Sequence, residues 1–183
     1  MQAAGQAVTA WFGLGSNLGD RMANVARALA LLAESCDHLA ASAVFETPPW
    51  GDLDQPAFLN LVARGTTHLS PDTLLARVKE VEHAVGRRPT RRWGPRVVDV
   101  DILAYGDLAE KAPDLEIPHP RMVDRAFVMV PFAELDPTWV HPVLGVTATE
   151  LVEAMPPADR GAVVRLGPAP MPSPPRVPTD GSR

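Results

Sequence analysis

The chain of 183 residues is poor in cysteine. Cys36 stands alone, so no intramolecular disulfide can form and no cysteine-rich zinc site can be built. No apolar run approaches the roughly 20 residues needed to span a bilayer, and Met1 to Ala10 lacks the cationic start and apolar stretch of a secretory leader. A soluble, membrane-free protein of the reducing cytoplasm is the expectation. Positive charge is also in deficit. A formal charge of −5 argues against broad nucleic-acid binding, which usually comes with a basic domain. Gly-x-Ser-x-Gly and His-Glu-x-x-His are missing, as is any cysteine paired with a base, which removes the commonest hydrolase and zinc-protease signatures. The five histidines show no zinc-site spacing.

What is present suits one globular domain, with 46% hydrophobic and 21% charged residues. Val8–Leu14 reads as a buried strand entering a glycine-rich turn, and Arg21–Glu34 as a helix capped by Asp20. Leu39–Phe45 and Phe58–Thr67 read as strands, the latter with Phe58, Asn60 and Val62 on one face. Ser70-Pro71 opens a helix that runs to Val85 and stops at Gly86. A basic loop, Arg87–Pro95, leads into a strand over Arg96–Tyr105, and Arg125–Leu135 reads as a helix broken or bounded near Pro131. From Pro156 proline recurs without apolar periodicity. The expected division is a single domain over 1–158 and a mobile proline-rich tail over 159–183. This order suggests an α+β sheet with helices on one face, of the ferredoxin type.

Asp99 and Asp101 carry the sharpest chemical signal. Two apart on a strand, they share a face, with Val98, Val100 and Ile102 on the buried side. Neighbouring half-buried carboxylates are costly unless a cation lies between them, and Mg²⁺ prefers a few carboxylates plus substrate phosphates. Salt bridges to nearby arginines are the alternative. Arg87, Arg88, Arg91, Arg92 and Arg96 lie within ten residues with no acid among them, and Trp93 sits inside the run. Arginine forks suit polyphosphate oxygens, although a solvated loop or a stacking contact to nucleic acid also fits. A basic loop feeding an Asp-x-Asp strand in an acidic protein favours a metal–nucleotide site.

Gly13-Leu14-Gly15-Ser16-Asn17-Leu18-Gly19 follows a strand, but it lacks the Lys-Ser/Thr ending of a Walker loop, and Leu18 takes the place of the third glycine of G-x-G-x-x-G. A tight structural turn that also walls a pocket is expected. Trp50 or Phe58 could face a flat ring, and Asn60 offers both donor and acceptor. His119, between two prolines, reads as structural when judged by its neighbours.

Taken together, Gly-Leu-Gly-Ser-Asn-Leu-Gly at Gly13, Glu-Thr-Pro-Pro-Trp-Gly at Glu46, Gln-Pro-Ala-Phe-Leu-Asn at Gln55, Arg-Trp-Gly-Pro-Arg-Val-Val-Asp-Val-Asp at Arg92, Ile-Pro-His-Pro-Arg-Met at Ile117 and Arg125-Ala-Phe resemble the 6-hydroxymethyl-7,8-dihydropterin pyrophosphokinases of folate synthesis. The resemblance spans about Ala10–Leu135. It implies a ferredoxin-like sandwich, an antiparallel-rich sheet with helices on its faces, that transfers pyrophosphate from ATP to the pterin. It further implies two Mg²⁺ ions on Asp99 and Asp101, phosphate contacts from Arg87 and Arg96, and Arg92 and Trp93 in a loop that closes over ATP. Thr47, Pro48, Trp50, Phe58, Asn60 and Phe127 would line the pterin pocket, while Glu82, His119 and Arg125 would place the nucleotide. The partners implied are ATP and the pterin, without nucleic acid or membrane, for a monomer. One departure is local: the family's Gly-Arg-x-Arg is here Gly86-Arg87-Arg88-Pro89, which displaces the second arginine to Arg88 or Arg91. A non-enzymatic nucleotide or RNA-binding module, or a pterin-binding relative without catalysis, are the rival readings.

Overall fold

The computed structural model describes residues 6–49, 54–88 and 94–172. The first strand, β1 (Val8–Ser16), alternates cleanly: Ala10, Phe12 and Leu14 face one core, and Trp11 the other. Its glycines at 13 and 15 therefore lie inside a strand. The expected glycine-rich turn begins later, where Gly19 takes a φ of 69° just before Asp20 caps α1 (Arg21–Leu32).

The single strand expected over Leu39–Phe45 is two strands, β2 (Asp37–Ala41) and β3 (Val44–Thr47). The break has a local cause. Ser42 Oγ accepts from Val62 N at 3.1 Å, and Ala43 N donates out of the sheet to a Glu134 carboxylate oxygen at 2.7 Å. Central β4 (Phe58–Thr67) pairs antiparallel with β1, β2 and β3. Helix α2 (Pro71–Val85) has its Ser70 cap and its left-handed Gly86 stop as read from the sequence.

The next strand, β5 (Asp99–Tyr105), starts three residues later than expected. Arg96 N and O are both bonded to Asn17, and Val97 O accepts from Ser16 Oγ at 2.6 Å, so this stretch is tied to the end of β1 rather than laddered beside it. A hairpin of β6 (Glu110–Lys111) and β7 (Glu116–Ile117) follows. Helix α3 (Ala126–Leu135) runs unbroken through Pro131, against the expected break. A proline inside a helix costs about 3 kcal/mol, and here Pro131 is buried beside Met129 and Phe132 in the second core.

A capping box on Thr147 and Glu150 opens α4 (Ala148–Ala154). The boundary drawn at 158 does not hold. Short α5 (Pro157–Gly161) leads to β8 (Val164–Gly167), which pairs with β3 and joins the main sheet. Residues 173–183 of the expected tail lie outside the described residues.

The sheet order is β5-β1-β4-β3-β8, with β2 also paired to β4. Helices α1 and α2 cover the core of Phe12, Leu14, Leu61 and Val100. Helix α3 covers the opposite core of Trp11, Val62, Leu103 and Phe132, and α4 packs on α3. The molecule is thus an α+β sandwich with helices on both faces. No helix among the described residues is long and apolar enough to cross a membrane.

Candidate functional site

Register builds the site. Gly15 stands opposite Asn60 on one side and Asp99 on the other, and Gly13 lies between Val62 and Asp101. All of these residues share the sheet face covered by α3. With strands about 4.8 Å apart, the missing side chains leave a trough between Asn60 and the two aspartates. A Cβ at Gly15 would sit 3.0 Å from Asn60 Oδ1 and one at Gly13 3.3 Å from the Leu103 side chain, so only glycine keeps the floor open. Above it lies a cleft of about 200 Å³.

One end of the cleft suits a flat, polar-edged ring. Thr47, Pro48, Phe58, Asn60 and Phe127 line it. Asn60 Nδ2 donates to Thr47 Oγ1 at 2.6 Å, which fixes the amide and turns Oδ1 toward the floor as an acceptor.

The other end carries charge. Arg96, Asp99, Asp101, His119, Arg121 and Arg125 line it. Asp99 is ion-paired to both Arg87 (2.7 Å) and Arg96. Asp101 is pushed above the usual carboxylate range by burial and by the Asp99 charge, against which Arg125, Lys79 and Arg96 act. No group of three metal-ligating side chains gathers among the described residues. A cation here would therefore draw protein oxygens from the aspartate pair and the rest of its shell from substrate and water, which is the habit of Mg²⁺.

Helix α3 begins at the cleft. The Arg125 guanidinium lies 5.6 Å from the centre of the Phe127 ring, joining the charged end to the aromatic one. His119 Nδ1 accepts from Arg121 N at 3.2 Å, which leaves the ring proton on Nε2. Burial, then the Arg125 and Arg121 charges, hold His119 down to about 4, so the ring is neutral at physiological pH.

Glu82 is not among the residues that line the cleft. It is buried on α2, where its Oε1 accepts from Val100 N at 2.9 Å on the outer edge of β5 and from Arg87, while Lys79 bonds Oε2 at 3.1 Å. Burial raises its pKa, opposed by Val100 N–H and the two cations. Glu82 thus anchors Arg87, and Arg87 reaches Asp99.

Of the sequence-derived candidates, Thr47, Pro48, Phe58, Asn60, Arg96, Asp99, Asp101, His119, Arg125 and Phe127 meet in this one cleft, with Arg87 bonded to its rim. Trp50, Arg92 and Trp93 lie outside the described residues. Sequence reasoning passed over Asn17, Gln55 and Arg121 as individuals, although each sits in a quoted motif. Asn17 is 1% exposed. Its Oδ1 accepts from Arg96 N at 2.7 Å, and its Nδ2 donates to Gln55 Oε1 at 3.0 Å and Pro56 O at 3.1 Å. One amide thus clamps the approach to Asp99 onto the segment preceding Phe58.

Comparison with known proteins gives a consistent picture. The family model described as 7,8-dihydro-6-hydroxymethylpterin-pyrophosphokinase matches residues 11–137. The chain is 40% identical over 135 residues to the 2-amino-4-hydroxy-6-hydroxymethyldihydropteridine pyrophosphokinase of Aquifex aeolicus, covering 74% of this chain and 84% of that one. It is 43% identical over 158 residues to the protein of the same name from Methylorubrum extorquens, covering 81% and 94%. The mitochondrial folate synthesis bifunctional protein of Pisum sativum is 44% identical over 123 residues, which cover 67% of this chain but 24% of that protein. Among solved structures, a Plasmodium falciparum HPPK-DHPS chain aligns with a TM-score of 0.67 at 15% identity, covering 88% of this chain and 48% of that one, and supports the fold alone.

Proposed function

The chain belongs to the 7,8-dihydro-6-hydroxymethylpterin-pyrophosphokinase family, and from that premise we propose how its cleft performs the family reaction. The enzyme is an ATP-dependent pyrophosphokinase of folate biosynthesis: it moves the diphosphate of ATP to 6-hydroxymethyl-7,8-dihydropterin and releases AMP. The observation that carries the assignment of sites is the register Asn60–Gly15–Asp99, which sets a ring-binding end against a phosphate-binding end across an open glycine floor.

The pterin ring lies between Phe58 and Phe127, with Asn60 Oδ1 accepting from its polar edge, and its hydroxymethyl group points across Gly15. The hydroxyl oxygen bonds to the β-phosphorus as the bond from that phosphorus to the α–β bridging oxygen breaks. The electron pair leaves on AMP, and the hydroxyl proton passes to water or to Asp99, the carboxylate in register with Asn60 across Gly15. Family membership implies Mg-ATP, and Asp99 and Asp101 supply hard oxygens for two Mg²⁺ ions, which would neutralise the phosphates and polarise the β-phosphorus. Arg87 and Arg96, which are ion-paired to Asp99, would turn toward phosphate oxygens once that carboxylate has another partner. Arg125 and the Nε2–H of His119 face the polyphosphate from the opposite wall. Transfer of this kind depends mainly on positioning and charge stabilisation, and every group named serves one or the other. Trp50, Arg92 and Trp93 complete the proposed site as ring and loop residues. A cytoplasmic monomer is part of the proposal; the lone Cys36 fits a reducing compartment.

The test is to mix the chain with Mg²⁺, ATP and 6-hydroxymethyl-7,8-dihydropterin. AMP should form in step with pterin diphosphate; ADP in its place would reject the reaction type.

A further inference from the structure

The first residue of α1 is a cation where helix formation does not favour one. Arg21 sits at the positive end of the helix dipole, and the first turn holds no acid to offset it beyond the Asp20 cap. Its tertiary contacts account for it instead. Arg21 Nη1 donates to Glu46 Oε1 and to Ala57 O, both at 2.8 Å. Glu46 immediately precedes Thr47 on β3, and Ala57 immediately precedes Phe58 at the start of β4. Thr47 and Phe58 are the last pair between these strands, and both line the ring-binding end.

That last pair needs an outside hold. A two-residue turn fixes the register of its own hairpin, but here residues 48–57 separate the strands, and those described carry no strand or helix. Glu46 stands opposite Leu59 on the face covered by α1 and α2, whereas Thr47 and Phe58 line the cleft on the other face. Arg21 therefore closes the mouth of the hairpin from behind, without lining the cleft itself. Asn17 differs in reach. Its amide bonds Gln55 and Pro56 on one side and Arg96 N on the other, so it serves both ends of the cleft. Arg21 Nη1 bonds the ring side at both of its acceptors.

We propose that Arg21 is a positioning residue specific to the ring substrate: by tying Glu46 to Ala57, it holds Thr47 and Phe58 at the spacing that receives the pterin. The ion pair with Glu46 is partly exposed on both sides, 32% and 38%, and contributes little. The charge-assisted bond to the Ala57 carbonyl carries most of the effect. The inference rests on the assignment of the ring-binding end, and Phe127, which lines that end from α3, tests the assignment separately.

The experiment measures kcat and the KM for pterin and for Mg-ATP in wild type, Arg21→Ala, Arg21→Met, Arg21→Lys and Phe127→Ala, with the melting temperature of each. Loss of the grip should raise the pterin KM about tenfold in Arg21→Ala, while kcat and the Mg-ATP KM stay within about threefold of wild type. Arg21→Met, which keeps the stem and loses the donors, should match alanine. Arg21→Lys should recover part of the loss, because a single nitrogen makes both bonds. A residue that only stabilises the fold would lower the melting temperature and leave the KM values of the folded enzyme alone. A pterin KM within about threefold of wild type in Arg21→Ala and Arg21→Met, or an equal rise for both substrates, overturns the role. If Phe127→Ala raises the pterin KM in the same series, the ring-binding end survives that failure; if it does not, the ring-binding end falls and the role of Arg21 with it.

Discussion

Replacing Asn17 with alanine should cost about 3 kcal/mol of folding stability, and the figure follows from its bonds. The side chain is buried and makes three hydrogen bonds, to Arg96 N, Gln55 Oε1 and Pro56 O, none longer than 3.1 Å. At a net worth of about 1 kcal/mol each, their loss gives about 3 kcal/mol. Water from the adjacent cleft can satisfy the abandoned Arg96 N–H, so the larger penalty for an unpaired buried donor is not added. For a domain of this size, that corresponds to a fall in melting temperature of roughly 6–12 °C. Aspartate supplies the sharper control. Asn17→Asp preserves volume and the acceptor for Arg96 N, but it presents a carboxylate oxygen to the carbonyl oxygens of Gln55 and Pro56. It should be at least as damaging as alanine at neutral pH, whereas a role limited to filling space would make it the milder change. Urea denaturation followed by circular dichroism, at constant m-value, measures both. Kinetics give an independent check, since the amide ties the approach to the aspartates to the segment before Phe58, and KM should rise for both substrates together. An Asn17→Asp protein within about 1 kcal/mol of wild type would falsify the clamp.

Gly15→Ala should spare the fold, since Gly15 sits in a regular strand, but place a Cβ 3.0 Å from Asn60 Oδ1. The pterin KM should rise about tenfold while that for Mg-ATP holds, and equal effects on both would contradict the trough. Asp101 has its pKa raised in the folded chain, so the native state binds its proton more tightly than the unfolded state does. Without metal, stability is full below the unfolded value of 3.8 and is lost as pH climbs toward the raised one. Asp101→Asn should therefore melt higher than wild type at pH 7 in a chelator while losing more than about 100-fold in turnover; an unchanged or lower melting temperature rejects the assignment. Glu82→Gln keeps an acceptor for Val100 N but takes the charge from Arg87 and Lys79. Arg87 is partly exposed, which limits the cost to about 1–2 kcal/mol by urea denaturation, below that of breaking a fully buried pair. Turnover should fall as Arg87 loses its anchor, and full activity would show that Arg87 is positioned without it.

What was legible in the sequence followed the reach of each signal. Asp99, Asp101, Phe58 and Asn60 could be placed on shared faces because strand periodicity is local and strict. Ser70, Gly86 and Asp20 announced helix ends through cap chemistry that depends on three or four neighbouring residues. Interactions that bind distant segments left no such trace. Nothing in Ser42-Ala43 signals that Glu134, 91 residues on, takes its N–H and splits a strand in two. Nothing around Arg96 signals that Asn17 holds it out of the ladder. Val164–Gly167 reads as part of a proline-rich tail until β3 is seen to offer it an edge. The bond from Val100 N to the Glu82 carboxylate likewise exists only once α2 packs beside β5.

The charges of the site explain why one ligand can organise all of it. Asp99 and Asp101 stand two residues apart on β5, and Arg121 and Arg125 line the same cleft from the start of α3. Burial disfavours the charged forms of both Asp101 and Arg125, and each has a like-charged neighbour. Arg125 and Asp101 act favourably on each other, while Arg87 and Arg96 hold Asp99 and the glycines at 13 and 15 keep the floor open. Under the proposed function, these like-charged clusters suit a metal polyphosphate, cation toward β5 and anion toward α3. Substitutions that relieve either cluster should therefore stabilise the empty protein and weaken the loaded one. Asp101→Asn tests this balance directly, because its melting temperature and its turnover should move in opposite directions.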